Sequence, residues 1–314
     1  TLMTGRHFTR WFLAALLAVG SLAGCATLDT QQRKWIFQPT DRTWWGGAQA
    51  AEGMSDVWIE FTSVEEDAPI KLHGLWLPQT RADAPVMLYL HGARWDVRSS
   101  AHRMQRMHEL GFAVLGIDYR GFGKSTNTLP SEDLAHEDAL AAWQWLAKQQ
   151  PQAKRFVFGH SLGGAIAVRL ASEVDNATGV IVEGAFTSIP DVFSTMKWGW
   201  LPLGPLITQR FDAASRLDKL KAPLLVVHGS NDNLIKPDLG RALYERARQP
   251  KRLVPGEGGT HHKTNAVGQV QYRQAVAERS SSAQSRLCVD APRDCLGRPG
   301  RLLRGPHRSG PARP

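Results

Sequence analysis

The succession of apolar runs along this chain predicts an α/β fold: a mostly parallel eight-stranded sheet with helices on both faces and a short lid. Three observations carry that expectation. Eight short apolar runs alternate with segments of helical periodicity between residues 56 and 277. Several of them, Val86–Leu90 and Leu224–His228 among them, are almost continuously apolar, which suits parallel strands covered on both faces. The stretch Gly159-His160-Ser161-Leu162-Gly163 lies between one such run and a helical segment, where a sharp strand-to-helix turn is required.

Taken in order, residues 1–24 read as an address rather than as fold. Arg6 and Arg10 precede the apolar run Trp11–Val19, which falls short of the roughly 20 residues that span a bilayer but has the length of a signal-peptide core. Residues 25–55 form an anchor and approach segment with Trp44-Trp45 and Gly46-Gly47. The strand candidates are Val57–Phe61, His73–Leu77, Val86–Leu90, Ala113–Asp118, Phe156–Phe158, Gly179–Val182, Leu224–His228 and Arg252–Val254. Ser99-Ser100 offers a cap for a helix carrying Met104, Met107 and Leu110. Pro130-Ser131 opens a second helix through Leu140, Trp143 and Leu146, and Pro237 sits in the first turn of a third. Residues 184–222 exceed a normal crossover and hold Phe193, Met196, Trp198 and Trp200, an apolar insertion that suits a lid. Residues 278–314 lack apolar periodicity and read as a disordered basic tail.

The net charge of +9 concentrates at the ends, with +2 in residues 1–24 and +5 in residues 278–314. The body is left nearly balanced, without a basic stripe interleaved with aromatics, and this argues against nucleic acid. Only three cysteines occur. Cys288 and Cys295 in the tail could pair in an oxidising compartment. No Cys-x-x-Cys or His-Glu-x-x-His spacing points to a metal, and no cofactor is expected.

The chemistry gathers at strand ends. Ser161 sits in the turn after Phe156–Phe158, and Gly159 and Gly163 relieve the collisions of strand with helix. The following helix start offers free N–H groups to a developing oxyanion. Leu162 N–H is one expected oxyanion donor, and Ala93 N–H, in the turn after Val86–Leu90, is the other. A serine hydroxyl needs a base and a group to orient it. Asp232 follows the Leu224–His228 run, and His261 follows Arg252–Val254, on the edge where Ser161 emerges. Glu183 also follows a strand and is an alternative acid. His91 precedes the nucleophile and reads as a structural histidine. Arg94 has two readings, contact with an anionic substrate group or a local pair with Asp96.

Together, Leu-His-Gly at 90–92, Asp118-Tyr-Arg-Gly-Phe-Gly-Lys-Ser125, Gly-His-Ser-Leu-Gly at 159–163, His-Gly-Ser-Asn-Asp at 228–232 and Gly-Thr-His at 259–261 resemble the α/β-hydrolases. The likeness covers about residues 55–277 and is closest to the serine-aminopeptidase and monoacylglycerol-lipase-like branch. It implies a Ser161–Asp232–His261 triad, structural roles for Asp118 and Arg120, and His262 as a spare beside His261. It also implies a serine esterase, with peptidase or thioesterase action and a catalytically dead binding protein as alternatives. Separately, Leu22-Ala23-Gly24-Cys25 resembles the bacterial lipoprotein box. That resemblance implies acylation of Cys25 and attachment to the cell envelope, and Ala26 after the cysteine implies the periplasmic face of the outer membrane.

Overall fold

In the computed structural model, which describes residues 24–267, 273 and 274, the eight apolar runs become the strands of one sheet. They are β1 (Ser55–Ser63), β2 (Ala68–Leu77), β3 (Val86–Leu90), β4 (Ala113–Ile117), β5 (Arg155–His160), β6 (Gly179–Glu183), β7 (Leu224–Gly229) and β8 (Lys251–Gly256). The strand order is β1-β2-β4-β3-β5-β6-β7-β8. β2 is antiparallel to β1 and to β4, and all remaining pairs are parallel. Most of the expected signal peptide, the basic tail and both of its cysteines lie outside the described residues.

The continuous apolar runs have the physical cause expected of them. Every residue of β3, β4 and β6 is buried, so both faces of the central sheet must be covered. Because side chains alternate along a strand, Val86, Leu88 and Leu90 join the main core with Trp143 and Ile166. Met87 and Tyr89 face the other way, where Tyr89 meets Phe158 edge-on at 5.2 Å.

The helices are α1 (24–37), α2 (Gly47–Ala50), α3 (Ala101–Glu109), α4 (Glu132–Gln149), α5 (Leu162–Glu173), α6 (Ile189–Ser194), α7 (Pro237–Arg246) and α8 (Thr264–Val267). Ser131 caps α4 by accepting from Leu134 N–H at 3.2 Å. The expected cap at Ser99-Ser100 is not made. Asp96 takes that role for a 3-10 turn at Val97–Ser100, and α3 continues from it. No described helix is long and apolar enough to cross a membrane.

One element was not anticipated. The approach segment begins with α1, whose last residue, Phe37, is fully buried 5.5 Å from the Phe211 ring. Gln32 donates to the Leu206 carbonyl at 2.7 Å and accepts from Thr208 N–H at 2.8 Å. Asp29 accepts from Thr208 Oγ1 and Gln209 Nε2 at 2.7 and 2.9 Å. These bonds hold α1 against residues 206–209, within the insertion.

Strand order fixes where a site can form. β3 lies between β4 and β5, so the connections leaving β3 and β5 depart to opposite sides. The carboxyl ends of these two strands therefore border the crevice at a topological switch point.

Candidate active site

Ser161 stands at that crevice, directly after β5, with φ 54° and ψ −120°. Left-handed backbone is costly for a serine, and close packing of strand and helix maintains it. A Cβ on Gly159 would lie 2.1 Å from the Gly163 carbonyl oxygen, and one on Gly163 would lie 2.2 Å from that of Leu90. Only glycine fits at either position. Ser161 N–H donates to the Glu183 carbonyl at 2.8 Å, which fixes the turn from the β6 side.

The loops leaving β7 and β8 complete the arrangement. His261 Nε2 is 2.9 Å from Ser161 Oγ, and its Nδ1 is 2.7 Å from Asp232 Oδ2. With the proton on Nδ1, the Nε2 lone pair faces the hydroxyl. The other oxygen of Asp232 accepts from the N–H groups of Leu234 and Ile235 at 3.0 and 2.9 Å. Burial pushes the Asp232 carboxyl up, but hydrogen bonds from His228 and His261 outweigh it and hold the group below the usual carboxylate range. Asp232 is therefore an anion wherever the fold persists near neutrality.

Glu183, the alternative acid, is directed elsewhere. Its Oε1 meets Arg103 Nε at 2.9 Å, and Arg103 also donates to the His262 carbonyl at 3.0 Å and faces His160 Nε2 at 3.2 Å. This arginine had no motif to announce it, yet it ties three loops behind the histidine. Burial, reinforced by Arg103 and His261, keeps His160 well below its ordinary pKa and hence neutral.

Ala93 and Leu162 both line the cavity above Ser161. Leu162 opens α5, where N–H groups have no intrahelical acceptor. The next amide along the other loop, Arg94 N–H, is engaged with the Phe37 carbonyl at 2.8 Å. His91 is buried with Nδ1 2.7 Å from the Gly92 carbonyl oxygen. His262 is exposed at the cavity edge. The pairing of Arg94 with Asp96 does not occur. Asp96 is buried against Arg98 and Thr43, at 2.7 and 2.6 Å, while Arg94 Nε donates to Gln38 Oε1 at 2.8 Å. The left-handed backbone at Arg94 and Trp95 (φ 63° and 55°) swings Arg94 away from Asp96.

Asp118 and Arg120 are built into the scaffold. Asp118 accepts from Val97 N–H at 2.6 Å and lies 3.0 Å from His73 Nδ1. Arg120, fully buried, donates to Asp138, Glu137 and Glu66.

The cavity measures about 660 Å³, within the range of small-molecule sites. Its floor is Ser161, Leu162 and His261, and its walls are largely apolar. Phe186, Val192, Phe193 and Met196 come from the insertion, Leu28, Trp35 and Ile36 from α1, and Leu234 and Ile235 from the β7 loop. Trp198 and Trp200, expected over the turn, do not line it. Both project outward in the turns after α6. Cys25 is exposed near the start of α1. Among the described residues no cluster of His, Cys, Asp and Glu is placed to hold a metal ion.

A family model described as serine aminopeptidase, S33, matches residues 81–211. An uncharacterized protein of Mycobacterium tuberculosis is 32% identical over 251 residues, covering 78% of this chain and 85% of that one. A lysophosphatidylserine lipase of Danio rerio is 32% identical over 188 residues, or 54% of this chain and 49% of the lipase, so the match spans about half of that relative. Among solved structures, a Pyrococcus furiosus esterase matches with a TM-score of 0.60 at 23% identity, over 78% of this chain and 98% of that one. Est1E from Butyrivibrio proteoclasticus, with ferulic acid bound, gives 0.60 at 20% identity over 72% and 99%.

Proposed function

The chain belongs to the α/β-hydrolase family, and on that premise we propose that it is a serine hydrolase cleaving carboxylic esters of short to medium acyl chains. The observation that carries the reading is the Asp232–His261–Ser161 relay on the floor of an apolar cavity. His261 Nε2 takes the hydroxyl proton as Ser161 Oγ bonds to the carbonyl carbon. The N–H groups of Ala93 and Leu162 hold the oxyanion. Collapse of the adduct breaks the ester bond, and the alcohol leaves with the proton from His261. Water, deprotonated by the same imidazole, attacks the acyl-enzyme and frees the acid and Ser161. Asp232 keeps the imidazole in the required tautomer and supports its positive charge.

The cavity lining favours esters over the free amino termini that an aminopeptidase takes. Among the described residues Asp96 is the one carboxylate in that lining, and it is occupied by Arg98, Thr43 and Ser99. No described lining acid is thus left to pair with a substrate ammonium. Each methylene buried against the apolar walls contributes up to about 0.8 kcal/mol, so affinity rises with acyl length until the cavity is filled. Lipase and esterase relatives are consistent with this choice. The test is a p-nitrophenyl ester series from acetate to palmitate, run beside aminoacyl anilides. We expect kcat/KM to peak at medium length. Turnover of the anilides with none of the esters would overturn the reading in favour of a peptidase.

We also propose that Cys25 carries the lipid of a bacterial envelope lipoprotein, supported by the Leu-Ala-Gly-Cys sequence at 22–25 and the preceding apolar run. Cys25→Ser should abolish incorporation of labelled palmitate. Recovery of unacylated wild-type protein from the expressing bacterium would remove the anchor.

A further inference from the structure

Exposed apolar side chains on this protein are not scattered. Among the described residues thirteen large ones stand exposed, and eight of these line the cavity. Trp35, Trp44 and Trp95 are among the eight. Three more, Trp45, Trp198 and Trp200, adjoin lining segments in sequence, with Trp45 90% and Trp200 73% exposed. Only Trp58 and Val64, on β1 and the turn after it, stand apart. A monomer rarely leaves apolar side chains gathered in this way in water unless something covers them. Tryptophan, apolar in body with one polar N–H, is the side chain most suited to the boundary between headgroups and acyl chains.

The exposed charges of the insertion are cationic. Lys197 and Arg210 are exposed, whereas Asp191 and Asp212, which flank them, are half-buried and taken up by Thr187, Ser188 and Ser215. Lys197 Nζ lies 5.7 Å from the Trp198 ring. Arg94 is exposed and, among the described residues, engages an amide oxygen rather than a carboxylate. Apolar surface fringed by positive charge complements an anionic lipid layer. A protein partner seated on the same rim would close the passage to Ser161, whereas a lipid layer supplies ester through it.

We propose that the tryptophan rim docks on an anionic lipid surface, so that the cavity opens directly onto the lipid layer and draws its ester from there. This goes beyond attachment through Cys25 and does not depend on it. Only the kinetic arm of the test rests on the ester-hydrolase reading.

The chain begun at residue 25 and carrying Cys25→Ser, which has neither the leader nor any attached lipid, is compared with the same chain bearing Trp45→Ser, Trp198→Ser and Trp200→Ser. In sedimentation with vesicles of equal parts phosphatidylglycerol and phosphatidylcholine, the rim substitutions should weaken binding by about tenfold or more. Phosphatidylcholine vesicles should bind the parent less well. Turnover of soluble p-nitrophenyl butyrate should be unchanged, while turnover of a monoacylglycerol held in the mixed vesicles should fall with binding. Trp58→Ser, off the rim, should leave every readout at the parent value. If the rim variant sediments like its parent, the proposal is overturned. Self-association of the parent that the rim variant loses, with neither sedimenting, would also overturn it by assigning the rim to a second copy. If no ester turns over but vesicle binding still depends on the rim, docking stands and the hydrolase reading fails.

Discussion

Among the described residues two buried histidines, His73 and His261, hold an aspartate at Nδ1, and they differ in what waits at the far nitrogen. His73 has Asp118 at Nδ1 (3.0 Å) and Asp56 at Nε2 (2.7 Å). His261 has Asp232 at Nδ1 (2.7 Å) and the Ser161 hydroxyl at Nε2 (2.9 Å). Burial opposes charge on His73, but the two carboxylates prevail and raise its pKa, so it favours the protonated, doubly donating state. His261 has a single carboxylate, and a hydroxyl rather than a second carboxylate faces its Nε2. A histidine–aspartate contact alone is thus no mark of a base. The second partner and an open cavity make the difference.

The largest test of that contrast is Ser161→Ala. The loss in kcat should approach the roughly 10⁶-fold seen when a triad nucleophile is removed, with unchanged melting temperature and no labelling by a fluorophosphonate. Next comes Asp232→Asn, which should lower kcat by about 10⁴-fold by misorienting the imidazole. Glu183→Gln is the companion variant. If it collapses turnover while Asp232→Asn remains near wild type, the orienting role passes to Glu183. His73→Gln should act on stability instead. Leaving buried Asp118 poorly paired costs about 1–3 kcal/mol, read as a lower urea midpoint, with kcat largely retained. Loss of turnover in a folded His73→Gln protein would erase the distinction between the two pairs.

The smallest effect is in pH, and its sign separates two buried histidines. His160 has a lowered pKa, so below about pH 6.5 the unfolded chain takes up a proton that the folded chain refuses. Stability therefore falls with falling pH, by up to about 1.4 kcal/mol per unit for this group. His73, with a raised pKa, contributes stability that is full below its unfolded value and lost as pH rises through the folded one. Subtracting the denaturation profiles of His160→Gln and His73→Gln from wild type should give slopes of opposite sign. Slopes of the same sign would place at least one of these rings in the wrong state.

What could be read in the sequence divides along the same line between local and distant causes. The central strands coincide with continuous apolar runs because burial on both faces leaves a one-dimensional trace, whereas β1 at the edge alternates exposed and buried residues. The order of Ser161, Asp232 and His261 was legible because each follows a strand that ends on one edge. By contrast, α1 is held by Gln32, Asp29 and Arg33, whose partners lie more than ninety residues away, and nothing local announces such bonds. Arg103 was missed for the same reason. The expected Arg94–Asp96 pair rested on proximity in sequence, and two left-handed residues defeat it. Trp198 and Trp200 read as lid lining from composition, but composition does not say which way a side chain faces when short turns replace a long helix.

The bond from Arg94 N–H to the Phe37 carbonyl has a practical consequence for anyone shortening this chain. A fragment cut at residue 55 keeps every strand while losing the helical signal of α1 and α2. It would also lack the brace on the loop that presents Ala93 and one side of the cavity. A recombinant fragment trimmed to its sheet should therefore fold and turn over poorly, whereas one begun just ahead of Leu28 should keep its rate.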